Sequence, residues 1–332
     1  MTILVTGGLG FIGSHTVVSV LKQYDDILII DRHSNPSLLS KLEILCNRKI
    51  PFKQVDLLDK MSVQNVFQTH NISMVIHFAA LKSLSQSYKF PLEYYTNNIT
   101  GTLNLLEVMQ MSNVKKLVFS SSAIVYGNNS NVPLTENEPL SVNNPYAQTK
   151  LMVEQMLTDI SISDPEWSIL ALRYFNPTGA HSSGLIGEKI TKDSSNLMPH
   201  IMRVAAREQD CLSIFGDNYD THDGTCIRDY IHIMDLAEGH VKALQYIEQG
   251  CGFDVINLGT GQGVSVLDLV HTFMEITKVD IPYIIVESRQ GDIAKSYACI
   301  DKAKERLGWT AKFTLEDMCR DAWNWKVSEA SK

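Results

Sequence analysis

Tyr146 and Lys150 stand four residues apart in Tyr146-Ala147-Gln148-Thr149-Lys150, directly after Pro145. Proline suits the first turn of a helix, and residues at i and i+4 share one helix face, so this spacing holds a phenol beside an ammonium. A free tyrosine, with a pKa of about 10, is a poor base at neutrality. A neighbouring cation favours its phenolate, and the pair then forms a general base. Tyrosine and lysine at this spacing also occur on ordinary exposed helices, so the pair needs company. Ser120-Ser121-Ser122 supplies it at the end of an apolar, β-rich run. Ligands bind at that edge of parallel sheets, where Ser122 is placed to hydrogen-bond the same substrate hydroxyl as Tyr146. Serines that merely cap a strand are the competing explanation.

A second cluster, Thr6-Gly7-Gly8-Leu9-Gly10-Phe11-Ile12-Gly13, lies between a short apolar run and an amphipathic one. Gly7, Gly10 and Gly13 permit a tight turn and close backbone approach, and the amides that open a helix attract a pyrophosphate. Asp31 closes the second apolar run. A carboxylate there accepts from the adenosine ribose hydroxyls and repels a 2′-phosphate, which favours NAD over NADP. Arg32, its neighbour, is the one contrary residue, since a guanidinium pairs well with a 2′-phosphate. Asp56 falls where it would meet the adenine amino group, with a solvated loop aspartate as the alternative.

These groups require a scaffold that delivers them to one edge. Residues 3–5, 27–30, 52–55, 74–76, 117–119 and 168–172 read as strands, alternating with helical periodicity over 15–22, 62–69, 98–111 and 146–157. Such alternation predicts a doubly wound, parallel α/β sheet of Rossmann type. After Asn176-Pro177 the pattern loosens into loops at 179–195 and 216–224, with helices near 197–207, 234–247 and 266–276. We therefore expect a dinucleotide-binding domain over 1–175 and a smaller, mixed α/β substrate domain over 176–332, with a soft boundary.

A chain of 332 residues, 44% hydrophobic and 20% charged, is globular by composition and long enough to bury a substantial core. Its formal charge of -8 offers no field for nucleic acid or an anionic membrane, so an anionic substrate must be held by local arginines. Six scattered cysteines without a CxxC pair, and no His/Cys cluster at ligand spacing, predict no metal and a reducing compartment. The chain opens on an apolar strand with no basic leader, and no apolar run is of membrane-spanning length. These features predict a cytoplasmic location.

Across Thr6 to Gly13, the run Phe119-Ser120-Ser121-Ser122-Ala123-Ile124-Val125-Tyr126-Gly127 and Tyr146 to Lys150, the chain resembles the UDP-glucose 4-epimerases of the extended short-chain dehydrogenase/reductase family. The resemblance covers nearly the whole chain. It continues through Arg173-Tyr174-Phe175-Asn176-Pro177, Asn196-Leu197-Met198-Pro199, Phe215-Gly216-Asp217, Arg228-Asp229-Tyr230-Ile231-His232, Asn257-Leu258-Gly259 and Arg289-Gln290-Gly291-Asp292. It implies that Phe11, Ile12, Asp31, Asp56, Leu57, Phe78, Ala79, Ala80, Leu81, Lys82, Asn97, Tyr146, Lys150 and Phe175 contact NAD. It further implies that Asn176, Asn196, Leu197, Phe215, Arg228, Arg289, Asp292 and Ser296 surround a UDP-sugar. The implied reaction is reversible inversion at sugar carbon four, UDP-galactose to UDP-glucose, by a homodimer that retains NAD through turnover.

Three departures from the family pattern stand out. Ile124 replaces the usual threonine near the reacting sugar, Cys226 a glycine and Cys299 an acidic residue. Ser296 falls where members of the family differ between tyrosine and a small residue, and its size predicts that UDP-N-acetylhexosamines are also accepted. Bulky Tyr297 is its neighbour, so a shift of one residue would reverse that reading. Two rival functions remain to be weighed. A nucleotide-sugar 4,6-dehydratase needs acidic residues just after the serine triplet, where Ala123 and Ile124 stand. A non-catalytic dinucleotide sensor would keep the glycine loop but has no need of Tyr146 and Lys150.

Overall fold

The computed structural model describes residues 1–189, 196–289 and 291–330. In the first half, strands β1 (Thr2–Thr6), β2 (Ile27–Asp31), β3 (Phe52–Gln54), β4 (Ile72–His77), β5 (Lys116–Ser120) and β6 (Ser168–Tyr174) appear in order. Helices α1 (Phe11–Val20), α2 (Pro36–Cys46), α3 (Lys60–Thr69), α4 (Leu84–Lys89), α5 (Pro91–Tyr95), α6 (Gly101–Met111) and α7 (Pro145–Ser163) alternate with them. The second half adds β7 (Asn176–Thr178), α8 (Leu197–Ala205), β8 (Leu212–Phe215), β9 (Ile227–Arg228), β10 (Tyr230–His232), α9 (Ile233–Glu248) and β11 (Phe253–Leu258). It ends with β12 (Val264–Ser265), α10 (Val266–Thr277), β13 (Tyr283–Val286), β14 (Lys295–Ser296), α11 (Asp301–Leu307) and α12 (Leu315–Ala330).

One parallel sheet runs in the order β11-β6-β5-β4-β1-β2-β3, the doubly wound Rossmann-type arrangement anticipated above. Helices cover both faces, so the strands are apolar on both sides. Alternation sorts Ile3 and Val5 to one face with Val17 and Val18 of α1 and Leu236, Val241 and Leu244 of α9. Leu4 faces the other way, toward Val63 and Val66 of α3, Leu105 and Met109 of α6, and Val153 and Leu157 of α7. Between β1 and β4 the winding reverses, and a crevice opens there at the carboxyl ends of the strands.

The smaller lobe packs α8, α10 and α12 around Met198, Ile201, Phe273, Met318 and Trp325, with short sheets β10-β7, β12-β9-β14 and β13-β8. Two features differ from the sequence pattern. The helix anticipated over 98–111 opens with a π-helical turn, Thr96–Thr100, before α6. Chain from beyond residue 175 also returns to the large sheet, because β11 pairs with β6 and α9 packs on the same face as α1. Among the described residues no helix is long and apolar enough to cross a membrane.

Candidate active site

Asn144 and Pro145 fix where α7 begins. The Asn144 side chain accepts the Ala147 amide at 2.8 Å, and proline takes the first helical position. Lys150 then reaches back to β5, donating to the Ser120 carbonyl oxygen at 2.6 Å, with its ammonium 5.9 Å from the centre of the Tyr146 ring. Ser122 caps the short turn Ala123–Tyr126, accepting the Ile124 amide at 3.3 Å, and it also hydrogen-bonds the Tyr146 phenol. The three anticipated residues therefore converge beyond the end of β5. Burial pushes the Tyr146 phenol up to about 12, against the Ser122 hydrogen bond, and pushes Lys150 down to about 7, against the Glu154 carboxylate. Both shifts disfavour charge, so a phenolate here needs positive charge close by.

The glycine loop fits a dinucleotide. Gly7 has φ +68°, and a Cβ added there would lie 2.8 Å from the Ala79 amide nitrogen and 2.9 Å from its Cα. Gly10 precedes α1 in an extended conformation, and no side chain caps the first amides of the helix, leaving them for an anion. Asp31 accepts the Leu9 amide at 3.3 Å and the His33 amide at 3.1 Å. A carboxylate has about four lone-pair sites, so acceptor capacity remains for ribose hydroxyls. Arg32 is drawn aside, its Nε donating to His33 Nε2 at 3.0 Å.

Across the switch point, the segment Phe78, Ala79, Ala80, Leu81 and Lys82 leaves β4. Ala79 donates its amide to Thr6 Oγ1 at 3.3 Å. Asn98 clamps Leu81 by accepting its amide at 2.8 Å and donating to its carbonyl at 3.0 Å, and also donates to Thr149 Oγ1 on α7 at 3.0 Å. The anticipated Asn97 is half-buried on the same π-helical turn. Asp56 accepts the Leu58 amide at 2.9 Å, next to buried Leu57. Phe175 follows β6, with its amide on the Leu258 carbonyl at 3.1 Å.

In the smaller lobe a cavity of about 330 Å³ gathers Asn176, Asn196, Leu197, Phe215, Arg228, Arg289 and Asp292. The Arg289 guanidinium lies 3.8 Å from the centre of the Phe215 ring. Arg228 donates to the Ile227 and Ile293 carbonyls at 2.9 and 2.8 Å and stands 3.7 Å from Asp292. Ser296 does not line the cavity but pairs in register with Arg228 on the neighbouring strand. Gln290 lies outside the described residues. Sequence reasoning missed His200, Gln209, Ser213 and Cys226 in the cavity wall, and Asn98, Glu154 and Glu188 elsewhere. Glu188 accepts from Lys82 at 3.4 Å and from Asn196 at 3.3 Å, joining the two groups of residues.

Comparison with known proteins meets this geometry. The family model described as GDP-mannose 4,6 dehydratase matches residues 4–322. The UDP-glucose 4-epimerase of Bacillus subtilis is 49% identical, covering 100% of this chain and 98% of that protein. The UDP-glucose 4-epimerase of Stenotrophomonas maltophila, solved with bound NAD and formylated UDP-arabinopyranose, superposes with a TM-score of 0.97 at 45% identity, covering 100% of this chain and 99% of that one. The Bifidobacterium longum enzyme, in complex with NAD+ and UDP, gives 0.94 at 44% identity over 99% of each chain. The chain belongs to the UDP-glucose 4-epimerase family. Within the wider family whose model is described as a dehydratase, it lacks the acidic residues of that reaction: Ala123 and Ile124 follow Ser122.

Gly7→Ala would force a side chain against Ala79 and into a left-handed conformation worth about 1–2 kcal/mol. We expect roughly tenfold weaker NAD retention or more. Absorbance at 260 nm of the supernatant from denatured protein measures it, while an unchanged circular dichroism spectrum shows that the fold survives.

Proposed function

We propose that this chain interconverts UDP-galactose and UDP-glucose by inverting sugar carbon four through a transient 4-ketose. The observation that carries this reading is the meeting of Tyr146, Ser122 and Lys150 at the carboxyl end of β5. A dinucleotide crevice and an arginine-bearing cavity accompany them in the same chain. Bound NAD supplies a hydride acceptor and donor at carbon four. Tyr146 takes the carbon-four hydroxyl proton as the ketose forms and returns it as the alcohol reforms. Ser122 hydrogen-bonds the same oxygen and holds it in line. Lys150 lends positive charge to the phenolate.

Arg228 and Arg289 suit a diphosphate, and the Phe215 face suits a uracil ring, while Asn176, Asn196, Leu197 and Asp292 complete that end. Anchoring through UDP leaves the hexose free to turn and present its opposite face. Relatives solved with NAD together with a UDP-sugar or UDP support the same pairing of ligands. The test is incubation of the purified protein with UDP-galactose and no added NAD, followed by NMR of the anomeric protons. Appearance of UDP-glucose is expected. Tyr146→Phe, which removes the acid–base group, should lower kcat by about a hundredfold to ten-thousandfold. Wild-type protein that stays inactive even with added NAD overturns the reading.

We further propose that Ser296 leaves room for a 2-acetamido group. Side chains on a strand alternate between faces. Tyr297 turns toward Gly263, where a Cβ would meet its ring at 3.1 Å, so Ser296 points the other way. UDP-N-acetylglucosamine should therefore be turned over, and Ser296→Tyr should abolish that turnover while keeping UDP-galactose as a substrate. Equal loss of both activities contradicts the assignment.

The six free cysteines support a reducing, cytoplasmic setting. A homodimer is supported by the apolar side chains Tyr88, Phe90, Leu92 and Leu103, all exposed along α4 to α6 and the turn between α4 and α5. Light scattering should give twice the chain mass, falling to a single chain for Leu92→Asp. A monomeric wild type would refute this face as an interface.

A further inference from the structure

Behind the proposed base lies a buried carboxylate that the mechanism above does not use. Glu154 sits four residues after Lys150, one turn along the same face of α7, and is 4% exposed. Its Oε1 accepts the Ser121 hydroxyl and, at 3.0 Å, Arg173 Nε, while Oε2 accepts Arg173 Nη2 at 2.6 Å. Ser121 lies between Ser120, whose carbonyl holds Lys150, and Ser122, which bonds Tyr146. One carboxylate therefore touches the turn that carries two of the contacts of the acid–base pair, and lies one helical turn from its ammonium.

We propose that Glu154 is a positioning residue for the reaction: its carboxylate holds the Ser120–Ser122 turn and the Lys150 ammonium in register with Tyr146. This rests on the roles proposed above for Tyr146 and Lys150. The groups around Lys150 leave Glu154 as the nearby anion. From β4, His77 lies within electrostatic range, but burial holds its pKa down to about 3, so it is neutral. From α7 and β6, the Tyr146 and Tyr174 phenols are both pushed up by burial and are neutral as well. Around Glu154 itself stand Arg173 of β6 and, beyond it, the Tyr126 hydroxyl, which accepts from Arg173 Nη1 at 3.2 Å.

Burial lowers the Lys150 pKa and Glu154 opposes that shift. Without Glu154 the ammonium loses its proton at lower pH, and the phenolate loses its cation. The alkaline limb of the kcat profile should therefore move toward acid, while KM for UDP-galactose, which is set in the other lobe, stays near the wild-type value. A group that only braces the fold would lower kcat evenly across pH and leave the limb in place.

Glu154→Gln alone orphans the Arg173 charge, so the first variant is Glu154→Gln combined with Arg173→Met, which removes both charges; Glu154→Gln is the second. Profiles of kcat against pH are recorded on holoenzyme with UDP-galactose, beside thermal melts. Glu154→Gln should shift the alkaline limb down by about one pH unit or more, as expected for loss of one nearby opposite charge; the double variant should shift it the same way by less, because the Arg173 cation is removed as well. A limb at the wild-type pH in a folded variant overturns the proposal. So does failure of both variants to fold, since the pair would then serve the fold and not the base. An inactive wild type would instead defeat the acid–base assignment beneath it.

Discussion

A carboxylate and a guanidinium buried side by side constrain the rest of this molecule. Glu154 and Arg173 are each 4% exposed, and neither is tolerable alone at that depth. Removing one partner of such a pair typically costs about 3–5 kcal/mol, because the other charge is left stranded. Every remaining donor and acceptor around the pair must also be met, and the chain meets them from distant segments. Burial opposes the Arg173 charge, but the Glu154 hydrogen bonds and charge outweigh it and hold the guanidinium protonated. Arg173 donates onward to Tyr126 and to the Glu136 carbonyl, and Tyr126 donates to Asn257 Oδ1 at 2.6 Å. Asn257 in turn donates its backbone amide to Glu136 Oε1 and its side-chain amide to the Leu134 carbonyl. The outer strand β11 is thus locked to the helix that carries the proposed base. That network fixes α7 against β6 and against the turn that follows β5, and so sets where the Tyr146–Lys150 face of the helix meets that turn.

The cavity of the smaller lobe depends on a second buried acid. Asp229 accepts the amides of Thr260, Gly261 and Ala298 and the Thr260 hydroxyl. Its backbone carbonyl takes both the Asn176 amide and side chain, and its amide meets the Ser296 carbonyl. Burial raises its pKa against those four hydrogen bonds. The consequence is geometric: Asn176 and Arg228 of the cavity wall and Ser296 beside it are tied through one residue. Gly259 shows how little slack remains, since a Cβ there would fall 2.5 Å from Asp229 Oδ2. Such ties suit the grip on a nucleotide proposed above, with the hexose left free to turn.

Much of the large sheet was legible because its strands are buried on both faces and read as uninterrupted apolar runs. The candidate site residues of that half were named from turn chemistry: the glycines of the first loop, the acid closing β2, and the proline that opens α7. Legibility fails where long-range packing overrides local pattern. β11 carries Asp254 and Asn257 within an otherwise apolar stretch, and only tertiary partners account for their places: Lys302 and Tyr246 for Asp254, and the Arg173–Tyr126 network for Asn257. The π-helical turn at Thr96–Thr100 puts Asn98 over Leu81, a contact that helical periodicity alone does not foresee. Glu154 was within reach, being one more step of four beyond Tyr146 and Lys150. Its meaning came only with Arg173, from a strand nineteen residues further along.

Burial at the proposed base sets what its ionisation requires. With Tyr146 pushed up to about 12 and Lys150 down to about 7, the protein alone favours a neutral phenol and weakens its own ammonium. The phenolate and ammonium together carry no net charge, so forming them as a pair costs less than forming either alone. A cationic ring beside them shifts the balance further toward the phenolate. Desolvation that opposes the base in an empty crevice becomes an advantage in a filled one, because the same exclusion of water strengthens each hydrogen bond to the substrate oxygen. On the roles proposed above, reactivity is coupled to occupancy by the depth of the site itself, with Glu154 opposing the burial that weakens the lysine.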